Sequence, residues 1–85
     1  MDVQVAAEKT IDAVDQSYGD KPCPLVASRH PGGMGANHAM WMLEGIRLGY
    51  VQYEQAHRWL GYAQAVLLHS DHLGLDIIKQ INKES

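Results

Sequence analysis

Two apolar segments, Met34 to Leu48 and Tyr53 to Leu68, each carry one tryptophan and are separated by only four residues. Each is long enough for a helix, and so short a connector makes consecutive helices antiparallel neighbours. With the connector centred on residues 50–51, equidistant positions face each other. Gly45 then lies opposite Ala56, Gly61 opposite Met40, and Glu44 near His57 and Arg58. A glycine inside a helix costs about 1 kcal/mol relative to alanine. Two such glycines on facing helices predict a close approach of the two backbones.

The periodicity around this hairpin is helical. Val3, Ala7, Ile11, Val14 and Tyr18 share one helical face, with Glu8, Lys9, Asp12 and Asp15 opposite. Asp2 is the expected N-cap and Gly19 the expected stop. The second helix is expected to open at Asn37 as cap and end at Gly49. It is apolar almost all round, with Glu44 and Arg47 its only charges, so it is either central to the fold or part of a subunit contact. The third, from about Gln52 to His69, aligns Tyr53, Ala56, Leu60, Ala63 and Leu67. Trp59, Tyr62 and Val66 widen that stripe, and Glu54, Gln55, Arg58 and Gln64 fall on the polar side. Glu54 and Arg58 have the i, i+4 spacing of a supporting ion pair. A last helix, Leu75 to Lys83, places Ile77, Ile78 and Ile81 inward. The expected fold is therefore all-α: a central antiparallel helical hairpin with an N-terminal helix and a short C-terminal helix. Residues 1–85 read as one small domain, with a loop over 19–36 between the first helix and the hairpin.

At this length a single core supplies only roughly 3–5 kcal/mol, and small chains often recover stability by assembling. A homo-oligomer is the expectation. The one cysteine, Cys23, has no partner for an internal disulfide. Asp2, Glu8 and Asp12 interrupt any leader-like apolar run, and the apolar runs fall far short of the roughly 20 residues a bilayer span needs. These features predict a cytoplasmic protein with no membrane attachment. The net charge of −3 makes nucleic acid an unlikely partner, because duplex binding requires several phosphates to be neutralised together. The acids concentrate in residues 1–20, however. Residues 21–69 are mildly basic and hold four of the five histidines, which suits a small anionic ligand.

The candidate site begins at Arg29-His30-Pro31-Gly32-Gly33-Met34-Gly35-Ala36-Asn37. Glycines let backbone N–H groups approach a ligand, a helix N-terminus attracts anions, and Arg29 adds a bidentate donor. The run lacks the lysine and serine/threonine of a nucleotide-triphosphatase loop and does not join a strand to a helix. It reads either as a phosphate cradle or as a loop ending in a helix cap. His38 and Trp41 follow on the same helix, and Arg58 and Tyr62 lie on the facing one. Arg29, His30, Gly32, Gly33, Asn37, His38, Trp41, Arg58 and Tyr62 are the expected ligand contacts. Every aromatic in this phenylalanine-free chain carries a polar handle, which suits half-buried contacts and oligomer seams. Met34, Met40 and Met42 add an adaptable surface.

Catalysis is not expected. No serine has a companion base, no short segment pairs carboxylates, and Cys23 has no activating group. His69 and His72 have a spacing that on a helix could share a metal, but structural zinc needs four ligands and no second cluster exists. The alternative is a solvated helix terminus. No cofactor is expected.

The stretches G-A-N-H-A-M-W-M-L-E-G-I, E-Q-A-H-R-W-L-G-Y-A-Q-A-V-L and H-L-G-L-D-I-I-K-Q-I-N-K-E resemble a group of small phage and prophage proteins. That group shares an A-x-R-W-L-G-[FY]-x-Q helix, matched most specifically here by Ala56 to Leu67. The resemblance spans roughly residues 36–84 and implies phage origin, hence the cytoplasm of an infected bacterial host. In size and helix layout the chain is also similar to the helical oligomers that phages use as sponges for host nucleotide immune signals. That likeness implies a noncatalytic protein that counters host defence by sequestering a small nucleotide-type signalling molecule. The alternative is a protein-binding adaptor or inhibitor of a host defence enzyme, acting through the Met/Trp surface of the second helix.

Overall fold

A computed structural model of the chain describes residues 1–17 and 35–85. Four helices order the described residues: α1 (Val3–Ser17), α2 (Ala36–Arg47), α3 (Tyr53–His69) and α4 (Leu75–Glu84). The all-α fold with a central hairpin is as expected. Tyr18, Gly19, Cys23 and most of the 19–36 loop, including Arg29, His30, Gly32 and Gly33, lie outside the described residues.

Asp2 caps α1 as its side-chain chemistry requires: its Oδ1 accepts from the backbone N–H of Gln4 at 3.0 Å and of Val5 at 3.2 Å. Its own N–H donates to the Ser85 carbonyl, joining the start of α1 to the end of α4. The Gln4 amide donates to the Arg47 carbonyl at 3.4 Å, which sets the start of α1 beside the end of α2. Thus α2 runs antiparallel to α1 and to α3, and packs against both. Its apolar circumference is consumed inside the chain: Ala39, Met40, Met42, Leu43 and Ile46 are all buried. The core joins Ala39, Met40, Leu43 and Ile46 to Val3, Ala6, Ala7, Ile11 and Val14 of α1, Ala56, Leu60, Ala63 and Leu67 of α3, and Leu73, Ile78 and Ile81.

Both ends of the hairpin helices close in the same way. After α2, the Gly49 N–H donates to the Ile46 carbonyl and the Tyr50 N–H to the Gly45 carbonyl, with Gly49 at φ 81°. After α3, the Asp71 N–H donates to the Leu68 carbonyl and the His72 N–H to the Leu67 carbonyl, with Asp71 at φ 62°. These are the paired bonds of a left-handed helix stop, glycine in the first case and an aspartate in the second. His72 therefore lies beyond the helix, not one turn along it from His69, and no group of three metal-ligating side chains forms among the described residues.

Several expectations need correction. Asn37 is not the cap of α2; Gly35 is, in extended geometry and with no side-chain cap bond. Tyr53 points outward, 65% exposed, because it stands at the first position of α3 where the buried stripe runs out. Ile77 is likewise exposed: α1 is the chief neighbour of α4 and covers only a narrow strip holding Ile78 and Ile81. Gln64 is buried rather than polar-facing, for the reason given below. Glu54 and Arg58 do not pair; the ion pairs among the described residues are Lys9–Glu84 at 4.0 Å and Arg47–Glu44. Glu44 is thereby engaged one turn along its own helix instead of reaching His57 or Arg58. The glycines do not mark a backbone approach either. A methyl on Gly61 would meet nothing within 4 Å, and one on Gly45 would meet only the Val51 and Trp59 side chains at 3.7 and 3.8 Å.

Gln64 is buried because two helices converge on it. Its Nε2 donates to Thr10 Oγ1 at 3.2 Å and to Asn82 Oδ1 at 2.9 Å, while Asn82 Nδ2 donates back to Gln64 Oε1 at 3.1 Å. Thr10 in turn donates to the Ala6 carbonyl at 2.7 Å. This knot joins α1, α3 and α4 and satisfies the polar groups it buries.

Candidate functional site

Antiparallel pairing of α2 with α3 brings their tryptophans together. Trp41 and Trp59 are equidistant from the connector to within one residue, and their ring centroids lie 5.8 Å apart at 38°. Helical spacing places His38 one turn before Trp41, and the two rings stack at 5.5 Å and 17°. The result is a run of three flat rings, His38, Trp41 and Trp59, all half-buried.

Beside these rings lies a groove of about 270 Å³, lined by Trp41, Glu44, Gly45, Leu48, Tyr50, Val51 and Trp59. The α2 stop builds its far wall. The left-handed Gly49 turns the chain so that Leu48, Tyr50 and Val51 follow one another past the end of α2. Tyr50 is 81% exposed at the rim, and the absent side chain of Gly45 leaves space between Val51 and Trp59.

Among the described residues, Glu44 is the one ionisable carboxylate or base lining this groove, its side chain 17% exposed. Arg47 grips both of its oxygens, Nη2 on Oε1 and Nε on Oε2, the latter at 3.2 Å. That hydrogen bond first, and then the carboxylate charge, raise the Arg47 pKa above its ordinary value. The pair is locally neutral, with a carboxylate whose orientation is held.

The expected contacts divide between places. Trp41 lines the groove and His38 stacks on its ring. Tyr62 instead lines a separate, more open cavity of about 420 Å³ with Gly35, Ala36, Ala65, Val66, His69 and Ser70. Asn37 sits half-buried in the first turn of α2, and Arg58 is exposed on α3. Glu44, Gly45, Leu48, Tyr50, Val51 and Trp59 were not among the expected contacts. The signal that could have found Trp59 is the same connector arithmetic, which sets it opposite Trp41. His57, two residues before Trp59, meets Tyr53 edge-on at 4.5 Å. Its Nε2 is buried with no hydrogen-bond partner among the described residues.

No family model matches the sequence, and no curated protein or solved structure matches it. Among the described residues, no helix is long and apolar enough to cross a membrane.

Proposed function

We propose that the protein is a noncatalytic binding protein that sequesters a small nucleotide-type signalling molecule. The observation that carries this reading is the run of His38, Trp41 and Trp59 beside an open groove. Flat half-buried rings next to a cavity offer a stacking platform for a nucleobase, and stacking contributes about 1–3 kcal/mol per base. Among the described residues, those around the groove include no nucleophile with a companion base, which favours capture over turnover. From the resemblance of residues 36–84 to phage proteins, we further propose that the protein is phage-encoded, acts in the cytoplasm of the infected host, and counters a host defence by this capture.

A second reading, a protein-binding adaptor, loses the methionine surface expected for it on α2, where Met40 and Met42 are buried, but has support elsewhere. Leu48 and Tyr50 stand exposed where they line the groove, Tyr53 is exposed at the start of α3, and Leu75 and Ile77 are exposed on α4. Large apolar and aromatic side chains so placed suit a protein partner, either a second copy of this chain or a host defence enzyme. Assembly is proposed on this ground, since the apolar face of α2 is already covered within the chain. Light scattering across micromolar concentrations should give a mass above 9.4 kDa; that mass alone would leave a monomer.

Thermal-shift and tryptophan-fluorescence titrations with nucleotides, cyclic dinucleotides and ADP-ribose derivatives decide between capture and adaptor. Capture predicts a raised melting point and quenching for at least one of them. Trp41→Ala should weaken that complex by about 5- to 150-fold. A panel with neither response leaves the adaptor reading in its place.

A further inference from the structure

We propose that the groove beside Trp41 and Trp59 is filled by Tyr50 of a second copy of this chain, in a two-fold dimer whose members exchange that side chain. This rests on the assembly proposed above and adds to it the surface, the anchor and the symmetry. Tyr50 is the most exposed large apolar or aromatic side chain among the described residues, 81% in solvent, and it stands on the rim of the groove itself. Knob and hole therefore share one edge. A two-fold axis beside that edge brings each knob to the other copy's hole at once, a self-complementary contact that closes at two copies. Tyr62 is also exposed, but it lines a different cavity, between α3 and the start of α2. A knob there would join two unlike surfaces head to tail, which leads to a ring or an open chain instead of a dimer.

Knob and hole also match in chemistry and in area. The groove has apolar and aromatic walls in Trp41, Leu48, Val51 and Trp59, with the Glu44 carboxylate among them. A tyrosine divides the same way, into a flat apolar body and a single neutral O–H at its tip. Arg47 occupies both oxygens of Glu44 from one side, and each oxygen keeps a lone pair that a single donor can use by itself. Because Arg47 already balances that carboxylate, covering the groove takes a neutralised pair out of water, not a lone charge. An aromatic side chain buries roughly 150–250 Å², and Tyr50 offers most of that. With Leu48 and the exposed ring edges, two copies would bury on the order of 1,000 Å² in all, the threshold for a specific interface. That area suits a dimer forming at micromolar concentration. A base stacked on Trp41 would take the same space, so nucleotide and second copy compete for the groove.

The test is sedimentation velocity on the full chain across the micromolar range. The parent should move from 9.4 kDa towards twice that mass as its concentration rises. An anchoring interface aromatic is worth at least about 25-fold in affinity, and two-fold symmetry counts it twice. Tyr50→Ala should therefore weaken the dimer by at least about 100-fold. Gly45→Met fills the hole instead, with a flexible side chain, and should weaken it comparably. Mixed together, the two variants restore one knob in one hole, because Gly45→Met supplies Tyr50 and Tyr50→Ala supplies the open groove. The mixture should associate at concentrations where neither variant does alone, a result that misfolding of either cannot imitate. A parent that stays monomeric throughout overturns the inference and the assembly reading together. A Tyr50→Ala protein that dimerises like the parent, or a mixture no heavier than its parts, overturns the inference alone. Assembly would then pass to another surface, with Leu75 and Ile77 of α4 the next exposed apolar pair.

Discussion

The two sides of α3 use polar chemistry in opposite ways. Towards α1 and α4, Gln64 is sealed into a knot with Thr10 and Asn82, and the amides of Gln64 and Asn82 answer each other. Towards α2, Trp59 meets Trp41 over a groove that stays open, with the Glu44 carboxylate at its edge. Sealing satisfies buried polar groups and fixes how three helices meet. The open side leaves the edges of half-buried rings exposed along a groove. A protein of this size needs the first arrangement in order to tolerate the second, because an open groove forgoes apolar burial that a small core can ill spare.

Breaking the sealed side should have the largest effect. Gln64→Ala removes three hydrogen bonds and leaves a hole against Thr10, a cost of about 2–3 kcal/mol. For a domain of this length that lowers the melting temperature by about 10–20 °C, measured by calorimetry or urea denaturation. A Gln64→Leu/Asn82→Leu double variant sharpens the point: replacing both amides by apolar groups should recover most of the loss. If Gln64→Ala melts with the parent, the knot is not what holds α4 in place.

The open side was the harder one to foresee. The helices, their order and the antiparallel hairpin follow from spacing alone, since Val3, Ala7, Ile11 and Val14, or Ala56, Leu60, Ala63 and Leu67, repeat at helical intervals and are buried. Gln64 went unforeseen because a glutamine on a helix is ordinarily solvated, and only two further helices converging on it make burial tolerable. Of the expected contacts, Trp41 lines the groove, a place legible because an aromatic on a nearly all-apolar helix must face something. Leu48, Tyr50 and Val51 were not, because their position depends on the left-handed turn at Gly49, and periodicity carries no information about a turn. Arg29, His30, Gly32 and Gly33 lie outside the described residues.

That turn provides the next test. Gly49 holds φ 81°, and a side chain there would also approach the Gln4 amide at 3.2 Å. Gly49→Ala should cost about 1–2 kcal/mol, the penalty of left-handed backbone for an L residue. It should also displace Tyr50 and Val51 and so weaken whatever the groove binds. Asp71, at φ 62° after α3, is the counterpart: Asp71→Gly relieves the same strain and should stabilise without touching the groove. A Gly49→Ala protein that keeps both its stability and its ligand would detach the groove from the connector.

The smallest effects discriminate most finely, because they compare two glycines in the same hairpin. Both Gly45 and Gly61 lie inside helices, and alanine at either gains about 0.5–1 kcal/mol of helix propensity. At Gly61 the methyl enters open space beside the α3–α4 groove, so Gly61→Ala should raise the melting temperature by a few degrees and leave nucleotide binding unchanged. At Gly45 the methyl meets Val51 and Trp59 at ordinary contact distance, so the fold should accept it with a similar or slightly smaller gain. The same methyl occupies the floor of the groove, however, and should lift a stacked base away from Trp41 and Trp59. Stability and binding therefore move in opposite directions at Gly45, whereas only stability moves at Gly61. Calorimetry paired with fluorescence titration of the two variants reads both. Equal binding by the two proteins would mean that the groove over Gly45 is a gap in packing and that the ligand, if there is one, sits elsewhere.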